Sequence, residues 1–334
     1  MLKKLKLTPR KIILNAEVID IISENNKVKA IIYKDLVNNT DNSNSRVFAK
    51  EKKDIRGKYH TGHLNDGLIK NENKLITLEA DKIIIATGGK SYSSTGSTGD
   101  GYKFVKKFDI NIKETLPALV PLKCVEFNDL KVLKGLKLKN IAIKIYDGNN
   151  KLIYKDFGEL YFEKDFLDGP VIRKASSIIN NDFQYNLSID LKPALDEKTL
   201  DKRLIREIEN KNNTKVIDLL KTLLPNELGI LFLKKLNFDL NSNINLINKE
   251  IRFKLLKMLK CYTLTICGDM GFDYAIITRG GVDVKEINPS TMESKKVKGL
   301  YFAGEVIDID AFTGGFNMQI AFSTGYLAGI TNVI

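Results

Sequence analysis

Cysteine is scarce in this sequence. Three occur in 334 residues: Cys124, Cys261 and Cys267. They form no CxxC pair and their number is odd, which argues against a disulfide framework and for a reducing compartment. Cys261 and Cys267 flank the run YTLTI and share a face if it is a strand. Nothing marks either as an activated thiol, so a buried structural role is expected for both. Histidine is scarcer still. His60 and His63 stand in a polar stretch with no cysteine beside them, and no metal site is expected there.

Other absences narrow the class. The start, MLKKLKLTPRKIILNAEVIDIIS, is basic and then apolar, but Asn15, Glu17 and Asp20 interrupt any signal-peptide core, so a cytoplasmic location is expected. No charge occurs from Ala311 to Ile334, a stretch long enough to span a bilayer. Its Thr313, Asn317, Gln319, Ser323, Thr324, Thr331, Asn332 and Gly314-Gly315 pair are wrong for lipid and right for a helix buried in protein. The net charge of +12 is spread singly among acids and asparagines, without a block of one sign. That pattern reads as a solvated surface rather than a nucleic-acid or membrane footprint. No GxGxxG is present and there are no internal repeats.

At 334 residues the chain exceeds one ordinary core, and two domains are expected. KIILNAEVIDIIS and KVKAIIYKD, joined by ENNK, read as a hairpin within 11–35. A polar excursion follows over 36–74. ITLEADKIIIATGG returns to strand, with Ile83–Ile85 apolar throughout in the manner of a buried parallel strand. GDGYKFVKKFD reads as a short helix. Residues 117–165 are strand-like with a hairpin turn at DGNN. From 196 to about 261 the pattern is helical, 266–310 alternate turn and strand, and a last helix follows Gly314-Gly315.

Three segments carry chemistry. Ala86-Thr87-Gly88-Gly89 ends the Ile83–Ile85 strand in small residues, which lets a backbone approach a flat or phosphorylated ligand, or simply makes a tight turn. SYSSTGSTGDGY has the spacing G-x-x-G-x-G before a helix, and no GKS or GKT follows it; Asp100 there is as readily a cap as a ligand group. GLYFAGEVIDIDAFTGGFNMQIAFSTGYLAG is the most informative. Gly304-Glu305 sets a carboxylate at a strand's carboxyl end, and Gly314-Gly315 opens a helix whose N–H groups face a crevice. Ala321, Gly325 and Gly329 recur every four residues, and close packing of this ridge against a strand is expected.

Taken in order, ATGG, TGSTGDGY, PALVPL, ITRGGV, INP-TMESK, GLYFAGEV and TGGFN-Q-AFS-GYLAG resemble the BaiN-like bacterial flavoproteins, usually described as NAD(P)/FAD-dependent oxidoreductases. The resemblance runs from about Lys11 to the C-terminus. It implies an α/β fold in which a Rossmann-type FAD-binding domain, its N-terminal part missing here, is interrupted by an inserted β-plus-helix domain. The implied parts are 1–118 and 269–334 for the FAD-binding domain and 119–268 for the insert. It further implies that Thr87, Gly88 and Gly89 lie near FAD. Gly304 and Glu305 would lie at the ribityl or phosphate region, and Gly314, Gly315, Asn317 and Gln319 by the isoalloxazine. NAD(P)H is the electron donor the resemblance implies, with a small molecule, not nucleic acid or membrane, as substrate. The family's opening strand, GxGxxG-like loop, helix and acidic second strand have no counterpart here. The chain is therefore expected to be the C-terminal two-thirds or more of such an enzyme, with a separately encoded N-terminal FAD-binding segment as the partner implied. Two alternatives stay open: a non-catalytic fragment that needs that segment, and a basic protein that binds nucleic acid or a membrane surface.

Overall fold

The computed structural model describes residues 12–36, 75–179, 184–210 and 214–331. The excursion at 37–74, with His60 and His63, lies outside them.

The hairpin of the sequence reading is present as β1 (Ala16–Glu24) and β2 (Lys27–Asp35). Asn25 and Asn26 turn it, both at positive φ (50° and 55°), the backbone a two-residue hairpin needs and asparagine tolerates. β3 (Leu75–Glu79) completes an antiparallel meander on β2. β4 (Ile83–Ile85) then pairs in parallel with β13 (Leu300–Phe302), Ile83 opposite Leu300 and Ile85 opposite Phe302. These short strands carry a core of Ile85, Tyr102, Val105, Val282, Leu300, Phe302 and Ala328, which also takes in Ile21 and Val28 of the meander. Tyr102 and Val105 come from α1 (Asp100–Lys106), and a one-turn helix, α2 (Phe127–Leu130), comes later in the chain. Helix α8 (Phe316–Ile330) follows β13 and contributes Ala328.

Between them the chain builds a second core around a closed six-stranded barrel. Its strands are β6 (Leu122–Cys124), β7 (Lys137–Tyr146), β8 (Leu152–Phe162), β9 (Leu167–Asp168), β10 (Tyr185–Asp190) and β11 (Tyr262–Asp269), in the order β10-β11-β6-β9-β8-β7. Pairing of β10 with β7 closes the ring. Side chains alternate along each strand, so Ile143 and Ile145, Leu187 and Ile189, and Leu264 and Ile266 fill the interior. The same alternation turns Cys261 and Cys267 outward, and both are exposed, contrary to the buried role expected of them. Only Cys124 is buried, its thiol pushed up to about 12 chiefly by desolvation.

Helices α4 (Glu197–Glu209), α5 (Val216–Leu223), α6 (Asn226–Lys235) and α7 (Lys249–Lys260) pack on this barrel through Leu200, Leu204, Leu220, Phe232 and Leu255. Asp196 and Asn248 cap α4 and α7, each accepting from the backbone N–H three residues on. No helix among the described residues is long and apolar enough to cross a membrane.

Two antiparallel strands join the cores, β5 (Ile112–Ala118) and β12 (Ile277–Val282). Just past β5, Leu119 is fully buried at φ 52°. Its carbonyl accepts from Arg173 Nη1 at 2.9 Å and its N–H donates to Ser177 Oγ at 3.3 Å. Arg173 belongs to α3 (Pro170–Ser176) and forks onto Asp168 at 2.6 and 3.0 Å. Arg279 of β12 donates to Ser177 O at 2.6 Å, so the end of α3 grips both connections. This clasp satisfies backbone groups that would otherwise be stranded at the joint. Arg173→Ala should leave Leu119 C=O with only the longer bond from Ile276 N–H and the Asp168 carboxylate with only Gly169 N–H, at a cost on the order of 2 kcal/mol. A urea titration checks it, and a midpoint matching the parent would show that the clasp adds nothing.

Candidate functional site

Because β4 and β13 are parallel neighbours, the loops that leave their carboxyl ends emerge side by side. The first is Ala86–Gly89 and the second Ala303–Glu305. This is where open parallel sheets receive ligands, since strand ends there present free backbone and short turns.

One buried residue, through its hydroxyl and its backbone N–H, knits the two loops together. Thr278, on β12, is almost wholly inaccessible. Its Oγ1 accepts from the backbone N–H groups of Lys90 (2.8 Å) and Ser91 (3.1 Å) and shares a hydrogen bond with Ser91 Oγ at 3.0 Å. Its own N–H donates to Glu305 Oε1 at 2.7 Å. Gly89 lies in the angle of this network. A Cβ there would stand 2.3 Å from Thr278 Oγ1 and 2.7 Å from Glu305 Oε1, so no other residue fits without displacing one of them. Glu305 therefore ties the loop after β13 to β12 through one of its oxygens. Gly304 N–H donates to Thr324 Oγ1 of α8 at 2.9 Å, fixing the second loop to the helix.

The remaining candidates divide. Thr87 is exposed and Gly88 half-buried. Thr87 lies over Gly101 of α1, whose Cβ would fall 2.3 Å from its hydroxyl oxygen. Gly314 and Gly315 are exposed at positive φ, and a Cβ on Gly315 would meet nothing within 4 Å: the mouth of α8 is open. Asn317 is committed to its own loop, with Nδ2 donating to Ala311 O (2.6 Å) and Oδ1 accepting from Ala311 N (2.8 Å). That pair of bonds shapes the turn before the helix. Gln319 points along the helix surface, its Nε2 on Ser323 Oγ at 3.0 Å. Asp100 acts locally, bonded to Thr98 and Lys103, which hold its carboxyl below the usual range.

The expected close packing of the Ala321, Gly325 and Gly329 ridge is not what the helix does. Cβ atoms at Gly325 and Gly329 would meet nothing within 4 Å, and the buried positions are Thr324 and Ala328. A four-residue repeat identifies residues that share a stripe, and here the stripe faces out.

Three residues escaped the sequence reading. Thr278 stands in ITRGG, where Gly280 and Gly281 sit at a bulge with positive φ and touch Glu114 O and Val306 O. The double glycine was the signal that two backbones pass closely there. Tyr102 donates to Glu305 O at 3.5 Å, and its hydroxyl is pushed up by burial and by the charges of Glu305 and Asp308. Asp310, half-buried in the segment leading to Gly314, is raised above its ordinary value, mostly by burial; Arg279 opposes the shift and Asp308 adds to it. Among the described residues no group of three or more His, Cys, Asp and Glu could hold a metal ion.

Comparison with known proteins gives this geometry a lineage. The chain is 30% identical over 256 residues to the ribosomal RNA dihydrouridine synthase of Escherichia coli K12, an overlap of 75% of this chain and 60% of that one. It is 28% identical over 254 residues to the 3-dehydro-bile acid delta(4,6)-reductase of Clostridium scindens, covering 75% and 61%. A ribosomal RNA dihydrouridine synthase of Haemophilus influenzae is 28% identical over 257 residues, covering 76% and 60%. The chain thus spans about three-fifths of the length of these relatives. The family model for the HI0933-like protein Rossmann domain matches residues 21–331, and the chain belongs to that family.

Proposed function

We propose that this chain forms the flavin- and substrate-facing part of an FAD-dependent reductase that saturates a carbon–carbon double bond conjugated with a carbonyl, with NAD(P)H as electron source. The relatives' names motivate the reaction class. Dihydrouridine is uridine with its ring double bond, conjugated to a carbonyl, reduced. A delta(4,6)-reductase of a 3-dehydro bile acid acts on double bonds conjugated in the same way.

The observation that carries the reading is the joint of Gly89, Thr278 and Glu305 where β4 and β13 end. It brings the loop after β4, with Gly88 half-buried, against the loop after β13 that is tied to α8, whose mouth is open. Those features fit the flat ring and sugar chain of FAD. Gly88 and Gly89 would line the floor, the second oxygen of Glu305 would accept from a sugar hydroxyl, and the N–H groups at Gly315 would face the ring's electron-rich edge. No GxGxxG is present for the pyrophosphate. When bound, FAD supplies the hydride. The protein's part is to orient the ring, exclude water and hold a proton for the carbon that does not receive hydride. Asp310, half-buried in the segment leading to Gly314, is the residue we assign to the last task, because burial makes its carboxyl keep a proton more readily than an exposed one.

A second reading of the substrate, in which the conjugated bond belongs to a uridine in RNA, is favoured by the two relatives named for ribosomal RNA. The test reads both. NADPH-reduced, flavin-loaded protein is mixed anaerobically with a cyclic enone, its saturated ketone, or a uridine-bearing ribosomal RNA fragment, and flavin reoxidation is followed by absorbance. Reoxidation by the enone or the RNA but not by the saturated ketone is expected; equal rates with all three, or with none, contradict the reaction class. In the same protein Gly89→Ala should weaken FAD at least tenfold, about 1.4 kcal/mol, through the displaced Thr278 and Glu305. Unchanged affinity in a flavin titration would remove Gly89 from the site.

Asp310 gives a pH signature. Its carboxyl is raised in the folded state, so ionising it penalises the native state. That penalty is absent in acid below the ordinary carboxylate range and develops as pH rises through the folded value. Asp310→Asn should therefore melt above the parent near neutral pH, with the gap closing in acid. A gap that widens on acidification, or none at any pH, would mean the carboxyl is not desolvated.

A further inference from the structure

Arg279 carries a charge that the chain does not neutralise. Arg173 forks onto Asp168 at 2.6 and 3.0 Å, and Arg252 meets Asp201 at 2.8 Å. Arg279 is half-buried as they are. Among the described residues, however, its guanidinium makes no ion pair, and its protein acceptor is Ser177 O, 2.6 Å from Nη1. A guanidinium presents a fork of N–H donors, and drawing one partly out of water without a counter-charge is costly. Most of that fork is left for an acceptor that is not part of the chain.

The neighbours of Arg279 say where such an acceptor can stand. The residue follows Thr278 on β12, so strand alternation turns it to the other face, toward the end of α3. There it lines a cavity with Ser176 and Asp269 that holds no more than a water molecule, which leaves no room for a substrate on the barrel side. Its charge also reaches Asp310, although the two form no ion pair. Just beyond Asp310 the exposed run from Phe312 to Gly315 leads to the open mouth of α8. A positive group and a carboxyl that keeps its proton are thus near enough to sense each other and too far apart to bond.

We propose that Arg279 is a catalytic residue, whose free N–H groups bind the carbonyl oxygen of the conjugated substrate and stabilise the enolate that hydride addition creates. The proposal rests on the reaction class put forward above and supplies the electrophilic group that class needs. As hydride bonds to the carbon β to the carbonyl, the electron pair of the carbon–carbon double bond moves to join the α-carbon to the carbonyl carbon. The carbonyl π pair moves onto oxygen, where Arg279 meets the new negative charge. The enolate then collapses, and its α-carbon takes the proton of Asp310. The carboxylate left behind is reprotonated from solvent, and NAD(P)H restores the two electrons. Donors already in place where charge develops need no reorganisation during the reaction, which is why they contribute most there. A carboxylate partner would quench the charge this step uses, so the lack of one at Arg279 has a reason. The oxygen recognised is the same in a carbocyclic enone and in a uracil ring.

Two stable planar anions imitate the enolate: an electron-poor phenolate for the enone, and barbiturate for the uracil ring. Each is titrated calorimetrically into oxidised, flavin-loaded protein beside a neutral counterpart, the phenol's methyl ether or uracil. The parent should prefer one of the anions over its counterpart on the order of tenfold or more, and which one identifies the ring. Arg279→Gln should abolish that preference and slow flavin reoxidation by the matching substrate on the order of a hundredfold. Arg279→Lys keeps the charge without the fork and should restore part of both. Because Arg279 also holds Ser177 O, Arg173→Ala controls for a loosened joint: it should melt earlier and retain the anion preference. No anion preference in the parent, a preference that survives Arg279→Gln, or an equal loss in Arg173→Ala would each overturn the assignment. Turnover by Arg279→Gln at the parent's rate would also overturn it and leave the reaction class standing. A parent that reduces neither ring would refute the reaction class, and the role of Arg279 with it.

Discussion

Leu300 pairs with Ile83 across most of the length of the chain, and the rest of the site depends on that parallel contact. The strands are three residues each, too short to hold register by their own ladder. What holds them is Thr278. Arriving on a third strand, it takes two N–H groups from the loop after β4 and gives its own N–H to the carboxylate after β13. The three-way bond works only because Gly89 has no side chain to separate its members. Remove the hydroxyl, the carboxylate or the bare backbone, and two loops distant in sequence lose their common point.

The barrel and its helices have a separate core, yet they are not loosely tethered. Arg173 and Ser177, on and just after a barrel-side helix, reach the backbone of Leu119, and Ser177 C=O accepts from Arg279 of the other connection. Arg279 follows Thr278 directly in sequence. One strand thus carries both the residue that joins the ligand loops and the residue that anchors the barrel unit. Orientation between the two cores and geometry at the strand ends are coupled through two adjacent side chains.

Much of the local structure was legible in the sequence because its causes are local. Asn25-Asn26 turns a hairpin by its own backbone preference, and Asp196 and Asn248 cap the helices that the three- and four-residue spacing of leucines foretold. The Ile83–Ile85 run read as a parallel strand, which it is, but only Ile85 is buried and Ile84 is exposed, contrary to the fully buried run expected. Closure of the barrel was not legible, since alternation says that β7 and β10 have an inner face but not that they meet. The α8 ridge was read facing the wrong way. Periodicity gives a stripe, and only the tertiary neighbours decide whether Thr324 and Ala328 or Gly325 and Gly329 lie inward. Thr278 was invisible because nothing about a threonine announces partners at positions 90, 91 and 305. At the site, Gly88, Gly89, Gly304 and Glu305 stood out as small residues and a carboxylate at strand ends, the resemblance tied them to FAD, and the physical reason for Gly89 emerged only from its closeness to Thr278.

The account's central claim is that the strand-end joint of Gly89, Thr278 and Glu305 is a ligand floor rather than a packing detail. A crystal structure of this chain with FAD tests it most directly. The account predicts the flavin or its sugar chain in van der Waals contact with Gly88 and Gly89, with Glu305 hydrogen-bonded to the ligand and to Thr278 N–H at once. Flavin bound elsewhere, such as against the barrel, with the Gly89 floor unchanged and uncontacted, would contradict it.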